Sequence, residues 1–368
     1  MFFADSDSSA ESISATQENR NRLHNKLCQE LGEVIPKTSS DWTKSLYQHL
    51  SSGPSIQQYL DDQGEYCNGQ WTKIPEAPAV KFQLREPLCW IINSIVQQFG
   101  NTGASNSWEA IVDPLKCEAT SGTEEPASPS ITVRATGPLF CTPKSISSAF
   151  SNVAACIDVK LDSEVADVWC HLVKMSEYAK QIFIQQLNRF FVCSLVITEQ
   201  RAQLFHFDRS GAQYAPLFNI HDHPDIFVSL ILGLTTTDER TLGLDDSVQW
   251  TTAPGGKKVG GTLSTVGPGN VVVTYKLVSN KGPLIHSNLC GCGTTCWVAR
   301  SEQGERLFVK DYWVTDTQTR EFELLDQVKG LQGVCQMVSY EDNRVQTKDL
   351  WGDTSSFEEG AFHNRTNI

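Results

Sequence analysis

Two glycines, a lysine and a glutamate between Leu289 and Leu325 stand at spacings that could hold a chain of phosphates. Gly291 and Gly293 lack Cβ atoms, so the backbone of Gly291-Cys292-Gly293-Thr294 can bend tightly and turn N–H groups toward phosphate oxygens. The turn runs into an apolar strand through Thr295, Cys296, Trp297 and Val298. A polar turn over residues 301–305 follows, and a second strand, Arg306-Leu307-Phe308-Val309, delivers Lys310. A lysine fixed on a strand can place its ammonium between two phosphates, provided a carboxylate steadies it. Glu321 suits that role better than Glu323. Glu321, Leu324, Leu325 and Val328 share one face at helical spacing, so Glu321 belongs to the stripe expected to pack inward.

Other stretches invite chemistry and read more readily as structure. Asp158-Val159-Lys160, with Gln185 and Gln186 on a following helix, resembles the carboxylate-x-Lys core of restriction-type nucleases, in which a carboxylate binds magnesium. The second carboxylate is expected just before Ile131, where Ser130 stands, and a serine is a poor magnesium ligand. The preferred reading is a nuclease-like scaffold without the activity. Asp208 and Arg209 read as a structural turn, with the arginine on backbone carbonyls and Gly211 at positive φ. His221-Asp222-His223 reads as a solvated loop leading to Pro224. Cys290, Cys292 and Cys296 lack the spacing of zinc knuckles. They read as a cysteine-rich turn, with a redox-sensitive loop as the alternative.

The elements that must position these residues follow from pattern. Residues 1–20 are rich in Ser, Asp, Glu and Asn, which predicts a disordered lead. Leu23, Leu27 and Leu31, then Trp42, Leu46 and Leu50, predict helices on either side of Ile35-Pro36, the second capped by Ser40 or Asp41. Residues 63–83 read as loop. A third helix is expected from Pro87 to Phe99, with Leu88, Ile91, Ile92 and Ile95 inward. Residues 100–130 read as linker. Strands are expected at residues 131–133 and 155–160, a helix at 165–187, a hairpin from Phe190 to Phe207, and a helix from Asp225 to Gly233. Residues 251–270 read as a second loop region, and Val271-Val272-Val273 resumes a strand.

Composition bounds the function. The chain has 368 residues, 20% charged and 40% hydrophobic, as expected for a folded chain of two to three domains. A net charge of −13 argues against a general nucleic-acid or membrane binder. No apolar run is long enough for a membrane span, and Met1 to Ser8 does not resemble a secretory leader, so an intracellular address, cytoplasmic or nuclear, is the expectation. The 12 cysteines include no Cys-x-x-Cys pair, and several read as small buried hydrophobes.

At Phe205-His206-Phe207-Asp208-Arg209-Ser210-Gly211 the sequence resembles the fungal-type protein kinase domain family, and the resemblance runs from roughly the residue-70s to the 340s. That family's kinase part opens with a Gly-x-Gly-Thr turn and a Lys-Asp-x-Trp string, matched here by Gly291-Cys292-Gly293-Thr294 and by Lys310-Asp311-Tyr312-Trp313. Flanking strings around Tyr178 to Val192 and Leu242 to Asp245 occur in the same order. The resemblance implies a Ser/Thr phosphotransferase family and ATP as ligand, with Mg2+ in a complete kinase. It also implies a nucleotide site from Gly291, Gly293, Thr294, Val298, Lys310 and Glu321.

Two departures stand out. Cys296 replaces the third glycine of the general kinase loop. No His-Arg-Asp and no Asp-Phe-Gly follows Lys310; Asp349-Leu350-Trp351-Gly352 has one residue too many, and the one later histidine is His363. The expectation is therefore the first part of such a kinase, inactive as it stands, with no catalytic residue and no metal ligand assigned. The alternatives are a non-catalytic module for a protein partner and, last, a magnesium-dependent nuclease. The expected architecture is α+β and multidomain. A helical region spans 21–105, a nuclease-like α/β module 106–275, an incomplete kinase-like small lobe 276–345, and a disordered tail 346–368.

Overall fold

A computed structural model describes residues 25, 29–31, 35–62, 64–100, 108–112, 128–136, 140, 149–253, 257–278, 283–285, 288–352 and 362–368. The expected lead over residues 1–20 and the leucines Leu23 and Leu27 lie outside the described residues. So do most of the linker and the turn Pro254-Gly255-Gly256.

The N-terminal region is helical, with α1 Ser40–Ser45, α2 Gly53–Asp62 and α3 Phe82–Phe99. The cap of α1 is Ser39, one residue ahead of the expected pair. Its hydroxyl accepts the Trp42 N–H at 3.1 Å, which satisfies a first-turn donor. Trp42, Leu46 and Leu50 do not share one helix, because α1 ends at Ser45 and Gln48–Leu50 is a 3-10 turn. The stretch read as loop contains a small hairpin, β1 Tyr66–Cys67 and β2 Gln70–Trp71, with Asn68 and Gly69 at φ 51° and 79°. Helix α3 begins before Pro87 rather than at it. An interior proline costs about 3 kcal/mol. Full burial of Leu84, Leu88, Ile91, Ile92 and Ile95 contributes roughly 1.5–3 kcal/mol each and outweighs that cost.

The first sheet holds β3 Trp108–Ile111, β4 Ile131–Ala135, β5 Val153–Val159, β6 Phe191–Ile197, β7 Arg201–Asp208 and β8 Gly211–Tyr214 in that order, with β9 Phe218–Asn219 on β7. Only β5 and β6 run parallel. A parallel pair needs a crossover, and α4 Val168–Gln185 supplies it. Helix α3 and α5 Pro224–Leu234 bury their apolar sides with Ile131, Val133, Ile157, Leu195 and Leu204. Met175, Tyr178 and Ile182 of α4 pack with Cys156, Val192, Val196, Phe205 and Phe207 in a separate cluster. The sheet is therefore covered on both faces, which explains strands that are apolar at nearly every position.

The second sheet is antiparallel throughout. It runs β10 Val248–Ala253, β11 Lys257–Val266, β12 Val272–Leu277, β14 Thr295–Arg300, β15 Arg306–Thr315 and β16 His363–Asn367, with β13 Leu284–Ile285 also on β14. Three expectations are corrected here. The supposed loop over 251–270 is mostly β10 and β11. A Cβ on Gly261 would lie 2.9 Å from the Trp250 ring, so this glycine permits close packing rather than breaking the strand. The expected division at residue 275 falls inside β12, because the sheet already begins at Val248. The tail is ordered where described: Trp351 is buried and β16 pairs with β15. Its polar side chains find carboxylate partners, as Asn364 does on Asp316 and Thr366 on Asp342.

Candidate functional site

Strand register decides which side chains share the open face of the second sheet. Cys296 stands opposite Lys310, Val298 opposite Phe308, and Leu284 opposite Cys296. Directly opposed residues point the same way. The alternate residues Trp297, Ala299 and Val309 point to the other face and are buried with Val248, Leu263 and Tyr275. Toward Leu284 and Phe308 the Lys310 face has no such cover: Leu284 is 76% exposed and Phe308 64%.

Lys310 and Glu321 meet on that face in a hydrogen-bonded ion pair, both half-buried. Glu321 is the first residue of α6 Glu321–Gln327, and Glu323 is exposed. The reason differs from the one expected. Helix α6 is short and buries none of its residues, and Leu324 is half-exposed, so no inward stripe places Glu321. Tyr312 does. Its hydroxyl accepts the Glu321 N–H at 3.1 Å, and the Lys310 ammonium lies 5.3 Å from its ring centre. Burial pushes the Tyr312 phenol upward. Tyr312 lies two positions after Lys310 on the same strand, so period-two alternation could have found it. Lys310 is held in place by paired backbone bonds with Ile368, both 2.9 Å. Cys296 is half-buried beside Lys310. Burial raises its thiol pKa and the ammonium partly offsets this.

The glycine turn leads into β14, which carries Val298 and pairs with the strand that carries Lys310. Gly291 and Gly293 adopt φ 96° and 44°, where a side chain is strained. The Gly291 N–H, however, donates to the Arg209 carbonyl at 2.8 Å. It is therefore committed to the protein rather than free for a phosphate. Thr294 is half-buried in the loop.

The remaining candidates are structural. Asp158 is buried, and Lys174 on α4, missed in the sequence, donates to its two oxygens at 2.8 and 2.9 Å. Ser130 donates at 3.0 Å and Lys160 stands 3.7 Å away. The place a cation would take is filled by an ammonium. Gln185 and Gln186 bond to the backbone of Phe150. Asp208 accepts from Ser210 N–H at 2.8 Å and Trp351 Nε1 at 2.5 Å. Arg209 donates to backbone carbonyls, and Gly211 has φ 142°. His221 is not solvated: it is buried, accepts the Trp71 N–H at 3.1 Å through Nδ1 and sets Nε2 against the Glu199 carbonyl. Cys290 is half-buried and burial raises its thiol pKa; Cys292 is exposed. Among the described residues no three His, Cys, Asp or Glu side chains gather as a metal site. Among them, too, no helix is long and apolar enough to cross a membrane.

In comparisons with known proteins, the model of a family described as fungal protein kinase matches residues 142–361. That span takes in β5 to β9 of the first sheet and β10 to β15 of the second. No curated protein and no solved structure matches the chain.

Proposed function

The chain belongs to the fungal protein kinase family, and from that premise we propose that its second sheet binds ATP. The observation that carries the proposal is the Lys310–Glu321 pair on an uncovered sheet face beside the glycine turn. The ammonium, steadied by Glu321, meets the phosphates. The backbone of Gly293 and Thr294 lies along them, and the base rests on Val298, Phe308 and Leu284. Phe308 and Leu284 left in water, with half-buried Val298 opposite Phe308, suit a flat heterocycle.

The proposal for these residues is binding rather than transfer. Phosphoryl transfer needs a base for the acceptor hydroxyl and a carboxylate for the metal. The 368 residues contain neither a His-Arg-Asp nor an Asp-Phe-Gly string to supply them. A second reading, docking of a protein partner, draws support from Leu331, Val334 and Val338, exposed beyond α6. The Asp158 arrangement gives the nuclease reading no support.

Calorimetric titration of the full chain with ATP tests the proposal. We expect saturable binding that Lys310→Ala weakens at least about tenfold, since one charge-assisted contact is worth roughly 1.5–3 kcal/mol. Absence of binding in the unaltered chain, or equal binding in the variant, would reject it.

A further inference from the structure

Arg209 follows the last residue of β7, in the first sheet, and grips the glycine turn of the second. Its carbonyl accepts the Gly291 N–H at 2.8 Å. Its Nη1 donates to the carbonyls of Asn288 at 2.7 Å and Leu289 at 3.1 Å. The guanidinium is stacked on Phe183 of α4, 4.4 Å from the ring centre. A Cβ on Gly293 would lie 2.5 Å from Arg209 Nε, so the turn sits directly on this side chain. Leu289 is fully buried in the α4 cluster. Its N–H reaches the Glu30 carboxylate at 2.9 Å, itself held by Lys180 at 3.1 Å. The Trp313 N–H donates to the Cys292 carbonyl at 2.8 Å. Thr295, which lines the same small space as Arg209 and Phe183, stands opposite Asp311, on the sheet face turned away from Lys310.

We infer that Arg209 is a positioning residue for the glycine turn: the first sheet holds the turn from behind, leaving the Lys310 face open, and thereby sets nucleotide affinity without touching the nucleotide. This rests on the ATP-binding reading above. A free glycine loop must lose its conformational entropy when a ligand orders it. A loop already fixed at five backbone groups has lost that freedom on folding, and binding is stronger for it. Coupling of this kind is reciprocal, so bound nucleotide in turn protects the contact between the sheets.

The test uses the full chain and two readouts, ATP titration and amide hydrogen exchange over residues 288–293. In the unaltered chain the bonded turn amides, those of Leu289 and Gly291, exchange slowly. Arg209→Ala releases the turn, speeds its exchange and weakens ATP binding about tenfold, within the usual range of such couplings. Arg209→Lys keeps the charge but loses the planar fork, so it recovers only part of the affinity. Leu289→Ala, which loosens the loop without altering the first sheet's strands, gives the same direction in both readouts should Arg209→Ala fail to fold. Fast exchange of the turn in the unaltered chain, or ATP affinity unchanged or tighter in both the Arg209 and Leu289 variants, overturns the inference alone. Absence of ATP binding in the unaltered chain overturns the functional reading, and this inference with it.

Discussion

The Lys310–Glu321 pair keeps about a third of each side chain in water, 34% and 37%. At that exposure an ion pair is worth at most about 1 kcal/mol to folding. Its value is in where it puts an ammonium. Glu321→Gln is therefore expected to leave the urea midpoint nearly unchanged while weakening ATP binding several-fold; a large loss of stability would reassign the pair to folding. Asp158 is the opposite case. Buried, with Lys174 on both oxygens, it would be left largely uncompensated by Lys174→Met. We expect a loss of about 3–5 kcal/mol in chemical unfolding, and a loss below about 1 kcal/mol would mean that Lys160 swings in to replace it. His206 adds a pH dependence. Its burial favours the neutral ring, but bonds to Asp208 and Cys193 outweigh that and hold its pKa at about 9, above the unfolded value near 6.5. The stabilisation is fully present below about pH 6.5 and lost as pH rises through about 9. The unfolding midpoint should fall between about pH 7 and pH 10, and His206→Asn should flatten that fall.

At the scale of elements, legibility followed periodicity. The stripes of α3 and α4 and the β6–β7 hairpin were readable because each buries a regular apolar pattern against one neighbour. The glycines before Leu263 hid β11, since β propensity counts against glycine while the actual constraint is the ring of Trp250. Strand β16, His363–Asn367, was invisible for the converse reason: its residues are polar, and only their tertiary carboxylate partners make burial tolerable. The Lys310–Glu321 pair was readable from spacing, and strand alternation could have added Tyr312, but Arg209 acts through contacts that spacing does not encode. Helix α6 was overread as amphipathic. Leu324→Glu should accordingly change stability by less than about 0.5 kcal/mol, whereas Leu88→Ala on α3 should cost about 2–5 kcal/mol. Similar losses for the two would restore the inward stripe.

Across the whole molecule the two sheets are joined by buried charge as well as by packing. Arg365 on β16 pairs with Asp311 on β15 and, at 2.6 Å, with Asp245 in the segment leading from the first sheet to the second. It lies 4.7 Å from the Phe190 ring centre, and Phe190 meets Trp313 edge-on at 6.1 Å. The Asp and Trp of the Lys-Asp-x-Trp string thus both face this joint, beside the strand position that carries Lys310. Burial alone would raise the Asp245 carboxyl, but Arg365, Arg344 and the Ser247 hydroxyl outweigh it and hold the carboxyl below its ordinary range. A depressed carboxyl contributes stability that is present at neutral pH and lost as pH falls through its folded pKa. Arg365→Met removes the shared cation and leaves two buried carboxylates, of which Asp245 keeps Arg344 at 3.8 Å and the N–H and hydroxyl of Ser247 at 2.9 and 2.8 Å. At neutral pH we expect a loss of about 3–5 kcal/mol. Below about pH 5 the uncompensated carboxyls of the variant can take up protons, so the gap between variant and unaltered chain should narrow. If the joint worked by packing alone, methionine would fill much of the same volume and the gap would be small and independent of pH. Urea titrations of both proteins near pH 7 and near pH 4.5 separate the two accounts, and a pH-independent gap would remove the electrostatic joint between the sheets.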